Sequence, residues 1–328
     1  MMRLPRRQFL HRAAGAAVVP FLPGIARAAQ SYPTRPVRVI VPFSPGGPTD
    51  VCARLIMQKL SERLGQQFYV ENIAGAGGNI GTGQAARTAA DGYSILITVN
   101  SYVINPTLYA KVPYRVLQDF DSVTLAVGFP SAMLVNPSVP ATTVKELVAL
   151  IKRSPNKYSF ASPGFGTPSH LLGEQFRVVL GLDLVHVPYG GSGPAMMSAV
   201  AGDTPIAFAA LSAAVPQIKD GKLRALAVMS KNRSQALPDL PTIGEAGYPE
   251  LDGDAWIGAL VPTGTPKEIV ALLQREIVDI LALPDVKERL ATLGLDPLGS
   301  TPEQFTAQMK LEMEKWAKVI EAAKIKAE

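Results

Sequence analysis

The sequence predicts an α/β protein with two lobes, each lobe a mixed sheet flanked by helices. Short β-branched runs alternate with amphipathic helical segments along the 328 residues, which is the pattern of sheets covered by helices on both faces. Glycine-rich loops of one design (a strand, then S-P-G, then a helix) occur in both halves of the chain. The length also suits about two domains once a leader is set aside.

The first 28 residues predict an export signal, with cleavage near Ala28. Arg6 and Arg7 form a twin-arginine pair before an apolar run that is too short to span a bilayer. That run ends in A-R-A, with small residues at the positions that a signal peptidase recognises. We favour twin-arginine export over the ordinary Sec route, which also tolerates two arginines.

Charge and composition exclude several classes of partner. The chain has 32 basic and 27 acidic residues, and subtracting the five arginines of the leader leaves 27 of each sign. No basic patch therefore indicates nucleic acid or an anionic membrane. Cys52 is the single cysteine, and only His170 and His186 remain beyond the leader. Their spacing matches no metal site, so we expect no disulfide, metal or cofactor.

Nine apolar, β-branched runs predict the strands. They are residues 37–43, 67–72, 93–100, 131–136, 158–162, 184–189, 205–210, 223–228 and 256–262. The chain is expected to cross between lobes near Val127–Leu134 and again near Leu251–Pro262. This predicts a discontinuous first lobe, residues 29–130 plus 256–328, and a second lobe of residues 131–255.

The helices between these strands have recognisable faces and starts. The buried face predicted for the first helix contains Val51, Leu55, Ile56 and Leu60. Capping boxes are predicted at T-V-K-E (143–146), T-P-K-E (265–268) and T-P-E-Q (301–304). The last capping box marks the start of a long final helix. The apolar stripe on this helix predicts that it packs against the body of a domain. The stripe is Phe305, Met309, Met313, Trp316 and Ile320.

The loop V-P-F-S-P-G-G-P-T-D (41–50) predicts an anion site without any basic side chain. Gly47 can cap the helix, Pro48 suits its first position, and Asp50 complements the helix dipole in the first turn. Backbone N–H groups at a helix start bind anions. Those expected to be free are the N–H groups of Gly46, Gly47 and Thr49.

The second half of the chain repeats this loop. Residues 158–176 again run from a strand through S-P-G into a helix, with Thr167 as cap, Pro168 first and Ser169 next. A third glycine-rich loop, residues 187–197, also follows a strand. Loops at the carboxyl ends of strands in two lobes predict one small anion held between them by N–H groups and hydroxyls, with Phe43, Phe165 and Tyr189 as apolar walls.

Two other interpretations are weaker. The segment G-A-G-G-N-I-G (75–81) approaches a dinucleotide fingerprint, but the strand that follows ends at Asn100 instead of an acid, so a tight turn lining the cleft is favoured. The segment G-G-S-G-P (190–194) breaks the nucleophile-elbow pattern at its last residue. A secreted α/β hydrolase acting on a carboxylate ester remains the alternative from another functional class.

Motifs along the whole chain resemble the Bug family of extracytoplasmic solute-binding proteins of the tripartite tricarboxylate transporter type. They include VPFSPGGPTDVCARL, VENIAGAGGNIG, AADGYSILI, GTPSHLLGEQF, VPYGGSGPAMM, GKLRALAVMS, LPDLPTIGEAGYP and LVPTGTP, in order between residues 33 and 325. The resemblance implies a two-lobed periplasmic "Venus flytrap", a monomer without catalytic activity. It would deliver a small organic carboxylate to the two membrane subunits of a secondary transporter or act as an orphan or sensory binder.

The resemblance also implies a set of ligand-binding residues and one departure. The family often has Val-Pro-Tyr-Lys-Gly where this chain has Val-Pro-Tyr-Gly-Gly, so a lysine is replaced by Gly190. The family binds citrate-like acids, dicarboxylates, acidic amino acids and aromatic acids, often through bridging waters, and the motifs do not distinguish these ligands. The residues carried over by position are Phe43, Ser44, Gly46, Gly47, Thr49, Asp50, Gly166, Thr167, Ser169, His170, Tyr189, Gly190 and Ser192.

Overall fold

The computed structural model describes residues 32–189, 192–234 and 236–325. The predicted export signal (1–28) and Gly190 lie outside the described residues. Within those ranges, no helix is both long and apolar enough to cross a membrane.

The described residues form eleven strands and ten α-helices. The strands are β1 Val37–Val41, β2 Phe68–Asn72, β3 Ser94–Val99, β4 Phe120–Phe129, β5 Ser131–Val135, β6 Tyr158–Ser162, β7 Leu184–Pro188, β8 Ile206–Ala210, β9 Arg224–Val228, β10 Ala255–Pro262 and β11 Asp296–Pro297. The helices are α1 Pro48–Leu64, α2 Asn79–Ala85, α3 Ser101–Leu108, α4 Val144–Arg153, α5 Pro168–Val179, α6 Ser192–Ala201, α7 Leu211–Lys219, α8 Lys267–Ala282, α9 Pro284–Thr292 and α10 Pro302–Ala323.

The strands form two mixed sheets, which confirms the predicted two-lobed α/β fold. The first sheet has the order β11-β4-β10-β3-β1-β2, and the second has the order β7-β6-β8-β5-β9. In the first sheet β1 is parallel to both neighbours, whereas β10 is antiparallel to β3 and β4. In the second sheet β6 is parallel to both neighbours, whereas β5 is antiparallel to β8 and β9. The loops after β1 and β6 therefore leave parallel regions of their sheets.

Two passages connect the sheets. Pro130 alone separates β4 of the first sheet from β5 of the second, and the chain returns between β9 and β10. Met229 links both passages, since its N–H donates to the Ser131 carbonyl and its carbonyl accepts from the N–H of Gly253, each at 2.7 Å.

All nine predicted strands are present, together with two strands that were not predicted, β4 and β11. Strand β4 is buried along most of its length, yet Asp121, Ser122 and Thr124 interrupt its apolar run. The hydroxyl of Thr124 is buried and donates to the Ser300 carbonyl at 2.8 Å. A polar side chain can lie in a buried strand when it has a hydrogen-bond partner within the protein. The sequence did not show that Thr124 has such a partner, so the strand was not predicted.

The predicted helix α1 is present, but its buried face is rotated by about one position. Val51 and Leu55 are only half-buried. A face predicted from large aliphatic residues leaves out the small buried residues Cys52 and Ala53. The residues buried on the core-facing side are Cys52, Ala53, Ile56, Met57 and Leu60.

Two of the three predicted capping boxes are confirmed. Thr143 and Thr301 each cap their helix in a reciprocal box with the residue three positions later. The box at 265–268 is wrong, because α8 begins at Lys267 without a side-chain cap. The Thr265 hydroxyl instead donates to the Pro262 carbonyl at 2.6 Å.

The final helix α10 packs against elements of both sheets. Its predicted stripe is confirmed: Phe305, Met309, Trp316 and Ile320 are buried, and Met313 is half-buried. The helix contacts β4 and α3 of the first half and α5 of the second half. It therefore lies beside the passages between the sheets.

Candidate functional site

The first candidate loop joins β1 to α1. Gly47 is the N-cap and Pro48 the first helical residue, as predicted. Thr49 is the second helical residue and is 6% exposed. In the first turn of a helix the N–H groups have no partner within the helix, so this end carries partial positive charge.

Asp50 shapes this loop from inside. This carboxylate is 3% exposed and accepts the N–H of Gly46 at 2.8 Å, together with hydrogen bonds from Arg54 and Asn72. Burial disfavours its charged form, but the hydrogen bonds from Arg54, Gly46 and Asn72 outweigh burial and lower the pKa of Asp50. The prediction that the Gly46 N–H is free is therefore wrong, and both oxygens of Asp50 have partners within the loop region.

The second candidate loop joins β6 to α5 and begins with a threonine cap. Thr167 is the N-cap and Pro168 the first helical residue, as predicted. The Thr167 hydroxyl accepts the N–H of His170 at 3.3 Å and donates to the Gly164 carbonyl at 2.7 Å. This hydroxyl, which the sequence analysis assigned to ligand binding, has its donor hydrogen committed to the loop itself.

His170 holds the loop in place from below. The side chain is 1% exposed, and its Nδ1 accepts the N–H of Gly166 at 3.1 Å. An accepting Nδ1 requires a neutral ring with its proton on Nε2. Burial, together with the nearby charges of His186 and Arg177, lowers the pKa of His170 to about 3. The uncharged ring is therefore the form present at neutral pH.

Each of the two loops contains one hydroxyl that is not hydrogen-bonded within the described residues. Thr49 and Ser169 both occupy the second helical position and are both 6% exposed. Neither hydroxyl is hydrogen-bonded to another part of the chain that the structure describes. The helix starts thus offer N–H groups and hydroxyl donors of the kind that bind a carboxylate.

Helix α3 and the turn before α2 connect the two loops. A Cβ on Gly166 would lie 2.3 Å from Leu108 of α3, so the second loop touches this helix directly. Asn105 of α3 donates to the Gly77 carbonyl at 2.9 Å. A Cβ on Gly78 would lie 3.2 Å from the ring of Phe43 in the first loop. The G-A-G-G-N-I-G segment (75–81) is therefore a tight turn against Phe43, as favoured over the dinucleotide interpretation.

Three side chains of metal-binding types meet near the second loop, and this cluster was not predicted from the sequence. One ligand atom each from His170, Glu174 and His186 lie within 4.8 Å of one another. His186 comes from the adjacent strand β7, so no sequence spacing reveals the cluster. Glu174 accepts from Arg177 at 2.8 Å, and His186 Nε2 is 2.7 Å from the Ser162 hydroxyl. A cation at His170 Nε2 would displace the only ring proton, so the donors do not suit a metal.

The Ser162–His186 pair does not form a hydrolase site. Ser162 is fully buried and its hydroxyl also accepts the N–H of Gly164 at 3.2 Å. Within the described residues, no carboxylate is hydrogen-bonded to His186. Burial lowers the pKa of His186 to about 4. The pair is a packed, hydrogen-bonded element of the second sheet, as expected for His186.

The third loop is only partly described. The hydroxyl of Tyr189 is hydrogen-bonded to Ser198 of α6 and to Thr204 before β8, so it is committed to contacts within the second half of the chain. Ser192 is the first residue of α6, and its side chain lies outside the described residues. Around the two main loops, Phe43 is half-buried, whereas Ser44 and Phe165 are exposed.

Solved structures of similar proteins include two with bound carboxylates. R. palustris Rpa4515 with adipate superposes with a TM-score of 0.80 at 33% identity, covering 90% of this chain and 99% of that chain. MatC (Rpa3494) from Rhodopseudomonas palustris with bound malate superposes with a TM-score of 0.76 at 32% identity, covering 88% of this chain and 100% of that chain.

Sequence comparison agrees with these structures and confirms the Bug resemblance. Protein BugT of Bordetella pertussis (strain Tohama I) is 38% identical over 295 residues, covering 89% of this chain and 90% of that protein. Residues 52–325 match TctC, the tripartite tricarboxylate transporter family receptor. The chain belongs to this family of receptors.

Proposed function

We propose that this protein is a periplasmic receptor that captures a small organic carboxylate between its two lobes. The observation that carries the proposal is the matched pair of helix starts, in which α1 and α5 each present proline first and an uncommitted hydroxyl second. Oriented N–H groups and hydroxyls can hold a carboxylate without a basic side chain. The adipate and malate in Rpa4515 and MatC support carboxylates as the ligand class.

The ligand would contact residues from both lobes, which we propose to be residues 29–130 plus 256–328 and residues 131–255. Thr49 and Ser169 are proposed as direct contacts through hydroxyl and N–H groups. Gly46, Asp50, Gly166, Thr167 and His170 would act by shaping the loops. The remaining proposed cleft residues are Phe43, Ser44, Gly47, Tyr189, Gly190 and Ser192.

Family membership supports a binding role over the hydrolase alternative. We propose that the receptor acts as a monomer, releases its ligand unchanged and delivers it to two membrane subunits of a secondary transporter. An ester hydrolase would need an accessible nucleophile, and the Ser162–His186 pair has none, since Ser162 is fully buried.

Isothermal titration calorimetry with malate, adipate and their neutral amides tests the proposal. We expect one-to-one binding of a carboxylate and sharply weaker binding of its amide, whose NH₂ group would face protein donors. Thr49→Val and Ser169→Ala should each weaken binding by about 1.5–3 kcal/mol, the range for a hydrogen bond to a charged group. Arg87→Ala, an exposed change near α2, is the control. Abolished binding in that control, with Thr49→Val unaffected, would show that a side-chain cation holds the ligand.

Export through the twin-arginine route is a separate proposal. Replacing Arg6 and Arg7 by lysine should leave precursor in the cytoplasm, because that route depends on the arginine pair. N-terminal sequencing of exported protein should show cleavage near Ala28. Normal export of the double-lysine variant would instead support the Sec route.

A further inference from the structure

The loops before the two helix starts share a second feature, a hydrogen bond made by the glycine that precedes each N-cap. In each loop the residue just before the N-cap is a glycine with positive φ, 82° at Gly46 and 71° at Gly166. The N–H of each glycine donates to the side chain four residues later, at 2.8 Å for Gly46 to Asp50 and 3.1 Å for Gly166 to His170. Both accepting side chains occupy the third helical position and are almost fully buried.

We propose that Asp50 and His170 are matched positioning residues, each of which fixes its loop by accepting the N–H of the glycine four residues before it. This inference rests on the proposed carboxylate site, because its functional consequence is the placement of Thr49 and Ser169. Asp50 and His170 themselves would not contact the ligand. Their chemistry differs, but the acceptor position and the hydrogen bond are the same.

The physical reason lies in the backbone conformation of the two glycines. Positive φ is accessible to glycine but is one of several conformations open to it, so a free glycine would not hold the chain there. A hydrogen bond from its N–H to a buried acceptor on the helix selects one conformation. The same bond removes that N–H from the donors that face the cleft, leaving those of the helix start. The loop is thereby preorganised before any ligand arrives.

The two acceptors also keep the site from gaining a strong local charge. Asp50 is ionised, but Arg54 donates to it at 3.1 Å and forms an ion pair with it. His170 is neutral and must stay so, because a protonated Nδ1 would become a donor facing the Gly166 N–H. An anionic ligand at the two helix starts therefore meets one neutralised carboxylate and one neutral ring.

The tautomer of His170 is read from the native protein itself, and two variants serve only to assign its signals. Long-range ¹H–¹⁵N spectra of the purified protein at pH 7 report which ring nitrogen carries hydrogen. His170→Asn and His186→Gln assign the signals of the two histidines that follow the leader, His170 and His186. We expect His170 as the neutral Nε2–H form. A proton on Nδ1 at pH 7 would overturn the proposal.

Amide exchange then tests the glycine contact directly. His170→Leu removes the acceptor at similar size, whereas His170→Asn keeps an acceptor oxygen at the δ position. We expect Gly166 N–H exchange at least tenfold faster in His170→Leu and near the native rate in His170→Asn. The Leu171 amide, which donates to Thr167 within the helix, should not change in either variant and reports that the helix is intact. Equal Gly166 exchange in both variants would overturn the inference.

Calorimetry on the same variants links the contact to the proposed function. With malate or adipate, whichever the native protein binds, affinity should fall at least tenfold in His170→Leu and recover in His170→Asn. Asp50→Leu and Asp50→Asn should behave in the same way through Gly46. If neither acid binds the native protein, the proposed ligand class fails while the tautomer and exchange results still decide the role of His170. Native affinity in His170→Leu despite fast Gly166 exchange would overturn the link to binding.

Discussion

At the scale of single residues, the role of a hydroxyl in this protein depends on what surrounds it. Thr167 and Ser169 are two positions apart in one loop, and the sequence offered both as ligand contacts. The structure commits the Thr167 hydroxyl to Gly164 and His170, whereas Ser169 has no such partner in the described residues. The sequence pattern predicted the cap and the helix start. It could not show that the Thr167 hydroxyl is hydrogen-bonded within the loop while the Ser169 hydroxyl is not.

Thr167→Val should therefore reduce stability even without ligand. The change removes a helix cap and the donor to Gly164, so we expect a loss of about 0.5–2 kcal/mol in the free energy of unfolding, measured by urea denaturation. Thr143→Val is a matched control, because Thr143 also caps a helix through its side chain but belongs to α4. We expect similar destabilisation in both variants and weaker carboxylate binding only in Thr167→Val. Unchanged stability of Thr167→Val would contradict the cap.

At the scale of secondary-structure elements, the close approach of a helix to a strand can leave room only for glycine. Gly173 lies within α5, where a Cβ would be 2.1 Å from the ring of Phe160 on β6. Helix propensity alone would favour alanine at such a position. The sequence predicted the strand and the helix, yet it could not show that their packing leaves no room for a methyl group.

Gly173→Ala should consequently destabilise the second lobe despite its better helix propensity. We expect a loss of about 1–3 kcal/mol from overpacking, measured by chemical denaturation. Gly193→Ala in α6 is the control, since no atom of the described residues lies within 4 Å of the added Cβ. That variant should be neutral or slightly more stable. A Gly173→Ala variant as stable as the native protein would mean that α5 shifts away from β6 at little cost.

Helix α10 also contains a buried carboxyl beside the passages between the lobes. Glu312 is 5% exposed, and one of its oxygens accepts from Trp256 and Gln308 at 2.8 Å each. The other oxygen has no hydrogen-bond partner among the residues that the structure describes. The residue lines a cavity of about 600 Å³ together with Asp252, Asp254, Asp296 and Lys315. Burial raises the pKa of Glu312 to about 7, although Gln308, Trp256 and Lys315 act in the opposite direction.

Because the pKa of Glu312 is raised, we expect the protein to lose stability as pH rises. The folded-state pKa of about 7 lies above the ordinary value of 4.5, so the folded protein binds more protons than the unfolded chain between these values. The stabilising contribution is complete below about pH 4.5 and is lost as pH rises through 7. Glu312→Gln imitates the protonated form and should be more stable than the native protein at pH 8 by about 1–3 kcal/mol.

Urea denaturation at a series of pH values measures this effect. The advantage of Glu312→Gln should shrink as pH falls toward 5, because the native carboxyl becomes protonated there. Glu314→Gln, an exposed change on the same helix, should show no such pH dependence relative to the native protein. A constant difference between Glu312→Gln and the native protein across the series would contradict the raised pKa.

At the scale of the whole molecule, the sequence predicted the architecture well because many weak signals agree. Alternating strands and helices, paired S-P-G loops and family motifs all indicated two mixed sheets in one chain. The missed strand β4 did not change this conclusion, since its neighbour β10 and the next strand in the sheet, β3, were recognised. What the sequence could not provide was the contact between loops, such as Gly166 against Leu108, which depends on how distant elements meet.

Two narrow passages between the sheets predict that the lobes move as bodies when ligand binds. Pro130 is the single residue between β4 and β5, and the returning chain is tied beside it through the hydrogen bonds of Met229 to Ser131 and Gly253. Bending at so few residues can rotate one sheet against the other without disturbing either core. A carboxylate held by Thr49 on one lobe and Ser169 on the other would favour the closed arrangement. We expect bending at residues 128–133 and 253–258.

Small-angle X-ray scattering should therefore give a smaller radius of gyration at saturating ligand than without ligand. The Thr49→Val variant provides the control, because it should weaken binding from one lobe and therefore require more ligand for the same change. Ligand can shift the equilibrium only by as much as it prefers the closed form, so the midpoint of the scattering change should follow the affinity measured by calorimetry. A radius of gyration that stays constant through saturation would show that binding does not require the two helix starts to approach each other. The two loops would then bind the ligand in a cleft that is already formed.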